Sequence, residues 1–111
     1  MIVNDFREAV TTLIDDSISV GEVGTSSTAP SVTDTDLIAG NQTSSLSVTT
    51  VKSGQQIIVT YNLNSVTGNG STYAEYGNFL DTGELLNRVV YTDLPKTEAV
   101  ELQFSTVLQV V

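Results

Sequence analysis

The side chains able to carry chemistry are carboxylates and hydroxyls, because the 111-residue chain contains no histidine and no cysteine. Histidine is the usual general base that activates a serine or threonine nucleophile. Thiolates and imidazoles are also the common ligands of zinc. Hydrolysis by paired carboxylates needs two acids that flank a cleft, and no spacing in the chain selects such a pair. We therefore expect no enzymatic activity and no cofactor.

Asp34 and Asp36 offer two carboxylates close together, which could hold a hard cation such as calcium. The stretch lacks the spaced ligands and the terminal glutamate of an EF-hand loop. Aspartates in such stretches also accept hydrogen bonds from nearby backbone amides and so form turns. We expect turn capping and no metal site, and keep Asp34 and Asp36 as the weak candidates for one.

Two further features could involve glycans. Asn41-Gln42-Thr43 and Asn69-Gly70-Ser71 match the acceptor pattern for N-glycosylation. Tyrosines 73, 76 and 91 could form a sugar-stacking surface, or they could be half-buried aromatic residues of strands, which is the interpretation we favour.

The charge of the chain is strongly unbalanced, with 13 acids against 4 bases and a formal net charge of −9. Nucleic-acid binding needs clustered lysine or arginine, so we expect no nucleic-acid partner. No apolar run reaches the roughly 18 residues of a membrane span, so we expect no membrane partner. An acidic, lysine-poor surface suits a protein in concentrated salt, because ions screen its self-repulsion. An ordinary acidic protein is the alternative.

Residues 1–16 contain the only helical pattern. Asn4 is placed to cap a helix that runs from about Asp5 to Asp15 or Asp16. A helix this short needs a surface to pack on, which is either the open end of its own sandwich or, as we favour, another copy of the chain. The predicted oligomer contact is the apolar face formed at helical spacing by Phe6, Val10, Leu13 and Ile14.

Residues 17–43 are interpreted as a short strand followed by a loop. Ile18 and Val20 alternate with polar residues, which is typical of a strand. The stretch from Gly21 to Leu37 consists mainly of small, polar and turn-forming residues. It predicts either a flexible linker or, as we favour, an ordered loop that wraps around the fold and rejoins it at Leu37.

Residues 44–111 show the period-two alternation of antiparallel strands. The last strand is long and carries apolar residues on both faces near its end, so we expect it to bend or to pair with another chain. We predict a single, mainly β domain, either an antiparallel β-sandwich (jelly-roll-like) or a small barrel, with one short N-terminal α-helix. The predicted strands are Ser44–Lys52, Gln55–Asn64, Thr72–Leu80, Leu85–Thr92 and Glu98–Val111, with a turn at Asp93–Lys96.

Two segments carry a family resemblance. Val23-Gly24-Thr25-Ser26-Ser27-Thr28-Ala29-Pro30, followed by Asp34-Thr35-Asp36-Leu37, resembles the VGTGTTAP…DTxL loop of small tail-fibre or head-fibre proteins of tailed viruses. Those proteins also tend to carry an E-x-G-x-F segment, which Glu75-Tyr76-Gly77-Asn78-Phe79 matches. Ser26 stands where the family usually has glycine. The resemblance covers most of the chain after the helix and implies structural roles for Gly24, Pro30, Glu75, Gly77 and Phe79.

Together with the acidic composition, the resemblance implies a virion protein of a virus that infects halophilic archaea. The expected function is structural, as capsid decoration (turret or head fibre) or as a tail or baseplate component. Such a protein would form a symmetric homo-oligomer and contact other virion proteins. The alternative is a carbohydrate- or receptor-binding β-sandwich for host attachment, whose partner would be a glycan or the host surface.

Glu75 lies between two tyrosines in a predicted strand. A buried acid needs hydrogen-bond partners, so we expect backbone amides to donate to it, among them amides of the Gly24–Ser27 segment. On that basis Glu75→Gln should change the free energy of unfolding little, whereas Glu75→Leu should cost roughly 2–3 kcal/mol by leaving donors unsatisfied.

The charge balance predicts that stability rises with salt. A net charge of −9 with four basic residues leaves most acids without a partner, and added ions screen their mutual repulsion. The melting temperature should therefore rise across a series of sodium chloride or potassium chloride concentrations. A flat series in both salts would contradict the high-salt interpretation.

Overall fold

The computed structural model, which describes residues 1–111, contains one N-terminal helix followed along the chain by seven strands. The strands form two antiparallel sheets. The prediction of a mainly β sandwich with a single short helix is confirmed. The helix is too short to cross a membrane. The elements are α1 Asn4–Ser17, β1 Ile18–Gly24, a 3-10 turn Gln42–Ser44, β2 Leu46–Ser47, β3 Thr49–Ser53, β4 Gln56–Leu63, β5 Thr72–Leu80, β6 Leu85–Pro95 and β7 Leu102–Gln109.

The strands are ordered β2-β1-β5-β6 in the first sheet and β3-β4-β7 in the second. The single strand predicted at Ser44–Lys52 is wrong, because β2 pairs with β1 whereas β3 pairs with β4. Val48 lies between them, where the chain passes from one sheet to the other. Its amide still donates to the carbonyl oxygen of Ser19 at 3.2 Å, and its side chain packs against the core. Alternation alone does not reveal such a change of sheet.

Two strand ends also differ from the prediction. The turn expected at Asp93–Lys96 is wrong, because β6 continues to Pro95, where Leu94 and Pro95 pair with β5. Proline is tolerated there because β6 is an edge strand. The strand expected at Glu98–Val111 is shorter, since the amide of Val100 donates to the carbonyl oxygen of Thr97 in a turn and β7 begins at Leu102.

The core lies between the sheets and is rich in tyrosine. The inward residues of β4, from Ile57 to Leu63, are fully buried, as the alternation predicts. The rings of Tyr76 and Phe104 stack with centroids 4.5 Å apart. Burial raises the pKa of Tyr61, Tyr76 and Tyr91 above that of an exposed phenol. Each tyrosine hydroxyl nevertheless has an acceptor, such as the Ser44 carbonyl oxygen, 2.7 Å from the Tyr61 hydroxyl.

The helix α1 lies across one end of the sandwich. The side-chain oxygen of Asn4, at its start, accepts from Gln55 at the β3–β4 turn at 3.1 Å. The carbonyl oxygen of Ser17, at its end, accepts from the Asp81 amide at the β5–β6 turn at 2.8 Å. The predicted cap at Asn4 is wrong, because the helix begins one residue earlier and Val3 is its N-cap, without a capping side chain. The Asn4 oxygen is directed to Gln55 and Arg7 instead.

Candidate functional site

The most elaborate polar arrangement lies on the outer face of the first sheet, beneath the loop of residues 25–41. At its centre is Glu75 of β5, which is fully buried. One carboxylate oxygen, Oε1, accepts from the amide of Ile38 and from Nε of Arg88, both at 2.9 Å. The other, Oε2, accepts from the amides of Ser26 at 3.1 Å and Ala39 at 2.9 Å. One carboxylate therefore binds both ends of the loop.

Arg88 extends this arrangement to the middle of the loop. It lies on β6, paired with Gly77 of β5, and its side chain is buried. Beyond its contact with Glu75, its guanidinium donates to the Thr28 carbonyl oxygen at 2.9 Å and to the Asp34 carboxylate at 3.4 Å. We refer to Glu75, Arg88 and Asp34 as the clasp, because together they hold the loop against the sheet.

Glycine is required where the loop approaches the sheet. A Cβ atom at Gly24 would lie 2.5 Å from the Glu75 Oε2 atom and 2.6 Å from the Ala39 carbonyl oxygen. A Cβ atom at Gly77 would lie 2.8 Å from the side chain of Leu37, which covers that glycine and is itself buried. The loop thus packs on bare backbone and rejoins the fold at Leu37.

The loop also closes on itself through its backbone. The amide of Thr25 donates to the carbonyl oxygen of Ala39 at 3.1 Å, and the amide of Asn41 donates to that of Val23 at 2.9 Å. These bonds surround a bridge between Gly24 and Gly40. Such a segment is an ordered loop with paired ends, unlike the flexible linker that the sequence left open.

The five residues given structural roles by the resemblance are not equivalent. Gly24, Glu75 and Gly77 converge on the clasp. Phe79 lies further along β5, half-buried, and lines an open pocket with Val20 and Leu80. Pro30 is exposed in the loop. Arg88 completes the clasp, although no spacing in the sequence pairs it with Glu75.

The charge state of Glu75 follows from its surroundings. Burial disfavours its ionised form, but hydrogen bonds from Arg88 and from the amides of Ala39, Ile38 and Ser26 outweigh burial. The pKa of Glu75 therefore lies below its usual value, and the residue is an anion at neutral pH. The stability that it contributes is present above the ordinary pKa and is lost as the pH falls through the lowered one.

The weak metal candidates do not converge. The Asp34 carboxylate accepts from the amide of Ser31 at 2.9 Å, in addition to Arg88. The Asp36 carboxylate accepts from the amide of Leu37 at 2.8 Å. Both therefore make the local bonds of turn-capping residues. No group of three or more His, Cys, Asp or Glu side chains is placed to hold a metal ion.

Glu22 of β1 contrasts with Glu75, because it is buried but has no hydrogen-bond partner. Its Oε2 atom packs against Gly40 and accepts no hydrogen bond. Burial and the nearby charges of Asp36 and Glu75 raise the pKa of Glu22 above its usual value. This acid therefore opposes folding when it is ionised. Sequence reasoning did not single it out, because only the close approach of Gly40 identifies its surroundings.

Both candidate glycosylation asparagines donate hydrogen bonds to groups of their own chain, and the three tyrosines lie in or against the core. The side-chain amide of Asn41 donates to the Tyr73 hydroxyl at 2.8 Å, and that of Asn69 donates to the Ser65 carbonyl oxygen at 2.9 Å. Tyr73 and Tyr76 are fully buried, and the half-buried Tyr91 hydrogen-bonds to the Glu75 carbonyl oxygen. The three tyrosines thus form part of the core and do not present a stacking surface.

The helix docks on its own sandwich with its apolar face turned partly outward. Its one buried residue is Thr11, and successive helix residues are rotated by about 100°. Relative to Thr11, Ile14 and Val10 lie at about 60° and 100° and are half-buried, whereas Phe6 and Leu13 lie at about 140° and 160°. Phe6 is 58% exposed and Leu13 is 68% exposed. The residues predicted as an oligomer contact therefore divide into an inner and an outer pair.

Leu13 of the outer pair lines an apolar groove. A shallow groove of about 220 Å³ runs between the helix and the sheet, lined by Val10, Leu13, Ile14, Ser17, Leu80 and Leu86. Ile2 and Val3, just before the helix, are also more than half exposed, at 56% and 57%. We call the exposed residues Ile2, Val3, Phe6 and Leu13, with this groove, the helix strip.

Comparison with known proteins yields no relative: no family model, no curated protein and no solved structure matches the chain.

The clasp predicts a large effect of Glu75 substitutions and corrects the expectation that Glu75→Gln is mild. Each carboxylate oxygen accepts from two donors, and glutamine would turn an NH₂ group toward one pair. We expect Glu75→Gln to cost about 1–3 kcal/mol. Glu75→Leu should cost about 3–5 kcal/mol, because it also leaves Nε of the buried Arg88 without its acceptor and removes the closer of its two carboxylate partners. Urea unfolding at neutral pH measures both values.

The matched control is Glu101→Gln, which makes the same change at an exposed acid outside the clasp and should leave stability nearly unchanged. Parent-like unfolding of both Glu75 variants would show that the clasp does not hold the fold.

Replacing Glu22 should raise the stability of the protein, whereas replacing Glu75 should lower it. The raised pKa of Glu22 means that its favourable contribution is present below its ordinary pKa of 4.5 and is lost as the pH rises through the raised value. Glu22→Gln should therefore stabilise the protein near neutral pH by about 0.5–2 kcal/mol, the usual range of a single stabilising substitution. The gain should disappear in acid, and Glu8→Gln on the exposed helix surface should show no gain. A gain independent of pH would argue against ionisation of Glu22 as the cause.

Proposed function

We propose that the chain is a non-enzymatic structural subunit of a virus particle, and that it works by assembling with copies of itself through the helix strip. The observation that carries self-assembly through the helix strip is the orientation of α1, which buries Thr11 while Phe6 and Leu13 face outward. Burying a large apolar side chain contributes roughly 1.5–3 kcal/mol, so an uncovered strip of this kind is a ready source of association energy.

The shape of the chain supports the same proposal. Its accessible surface is 6417 Å², whereas a monomer of 11.8 kDa should expose about 5,900 Å². Its radius of gyration is 14.8 Å, compared with about 13 Å for a compact domain of this length. Both values describe an elongated subunit with more surface than a compact monomer of its mass, which leaves more of that surface available for contacts.

The virus assignment rests on the sequence resemblance. Its two segments, the loop from Val23 to Leu37 and the stretch from Glu75 to Phe79, are distant in sequence but meet at the clasp. This contact supports treating them as one structural feature. On this proposal the protein is capsid decoration, such as a turret or head fibre, or a tail or baseplate component that also contacts other virion proteins. The acidic composition supports a halophilic host.

The alternative of a carbohydrate- or receptor-binding module gains no support from the tyrosines. Tyr73 and Tyr76 are buried in the core, and the Tyr91 ring packs against Phe104 with centroids 5.1 Å apart. Sugar stacking requires exposed rings. We therefore propose assembly as the function and leave glycan binding as an outcome of the test.

Substitution within the helix strip tests the proposal. The double variant Phe6→Gln/Leu13→Gln replaces the two outward apolar side chains by glutamine, which is a good helix former and should leave the helix intact. We expect it to reduce the oligomeric mass by a factor of two or more. Light scattering or native mass spectrometry measures this mass. The matched control is Val32→Gln/Val66→Gln, which removes two exposed apolar side chains from loops and should keep the mass of the parent.

A parent chain that is monomeric at every concentration, or that binds members of a glycan array as a monomer, would overturn the proposal. The same is true of a folded Phe6→Gln/Leu13→Gln variant that keeps its full mass.

A further inference from the structure

The sheet edges of the sandwich differ in how well they are protected. Edge strands expose unpaired backbone groups, and proteins usually guard them with charges, proline, irregularity or short length. The edge strand β2 has two residues, and β3 has five with Lys52 among them. The edge strand β6 contains Arg88, Asp93 and Pro95 and has two register shifts against β5. Three of the four edges are therefore guarded.

The fourth edge strand, β7, has none of these features. Its eight residues from Leu102 to Gln109 include no charged residue, no proline and no glycine. It pairs with β4 in unbroken register from Leu63–Leu102 to Gln56–Gln109. A long, regular and uncharged edge is a template for pairing with another strand. The opposite side of β7 carries no strand.

The strands of the sheet that contains β7 carry none of the acids that dominate the rest of the chain, and the exposed acid Glu101 lies just before β7. Lys52 is the only charged residue in β3, β4 and β7. A cross-strand row of Val51, Ile58 and Val107 lies on the outer face of this sheet. The neighbouring row consists of Thr49, Thr60 and Ser105. In a chain of net charge −9, two copies can approach at this uncharged surface without strong repulsion.

We propose that β7 pairs with β7 of a second copy, antiparallel about a two-fold axis, so that two three-stranded sheets become one six-stranded sheet. An antiparallel pair of identical strands is self-complementary, as a two-fold contact requires. A second copy also presents the same uncharged face, whereas an acidic or basic partner would find no opposite charge on it. This inference rests on the proposed function, because it assumes that the chain assembles with copies of itself. The β7–β7 contact would be a second contact besides the one through the helix strip, so that each subunit could bind two neighbours.

Two row-matched variants test the edge contact. Ser105→Glu/Val107→Glu places two charges on the outer face of β7, and Thr49→Glu/Val51→Glu places the same two charges in the same rows on β3. Val107 is 58% exposed and Val51 is 64% exposed, so both variants alter surface residues. We expect the β7 variant to lose half or more of the oligomeric mass and the β3 variant to keep it. Far-UV circular dichroism checks that both variants fold.

Hydrogen exchange on the parent gives a measurement that needs no substitution. When the protein is diluted until its oligomeric mass falls, the amides of residues 102–109 that point away from β4 should lose protection by tenfold or more, whereas those bonded to β4 should keep it. Amides of β3, the opposite edge of the same sheet, should not change.

The outcomes separate this inference from the proposed function. If the β7 variant keeps its mass while the helix-strip variant loses it, the edge contact is wrong and assembly through the helix stands. Loss of mass in both the β7 and the β3 variants would indicate a contact through the whole sheet face and overturn edge pairing. Protection of β7 that appears only after another virion protein is added would show that the occupant is not a second copy. A monomeric parent overturns both proposals.

Discussion

The buried carboxylate of Glu75 is the constraint on which the outer half of the fold depends. A loop of small polar residues has too little apolar surface to hold itself on a sheet, so polar contacts must hold it. Four donors on one carboxylate, with Arg88 reaching the middle of the loop, provide those contacts. Gly24 and Gly77 are consequences of this arrangement, because any side chain there would displace the carboxylate or Leu37.

Local periodicity predicted most of the fold. The alternation in β4 and β7 identified their inward faces, because successive residues of a strand point to opposite sides. The change of sheet at Val48 was not predictable, since both β2 and β3 are extended and only their partners differ. The extension of β6 to Pro95 was missed for a similar reason. The residues at Asp93–Lys96 are typical of a turn, but pairing with Thr72 and Tyr73 of β5 keeps them in the strand as far as Pro95.

The candidate site was predictable only in part, because its contacts join residues far apart in sequence. An acid between two tyrosines is unusual enough to identify Glu75 as a buried group with donors. Nothing local identified Arg88, which meets it through the register of β5 with β6. The apolar face of the helix was also visible in the sequence. The rotation of the helix about its axis was not visible, because a helical pattern shows which residues share the apolar face but does not show which face of the helix packs on the sandwich.

The distribution of charge gives the two proposed contacts different physical character. The helix strip lies on an element that carries Asp5, Glu8, Asp15 and Asp16 and one basic residue, Arg7. Two helices brought together there would also bring their acids together, so salt should strengthen that contact by screening. The β7 edge lies in a sheet whose only charge is Lys52, and its association depends on backbone hydrogen bonds and apolar burial. Salt should therefore affect it far less. An acidic subunit with two such contacts would form its edge pairs with little dependence on salt and extend them through the helix as the salt concentration rises.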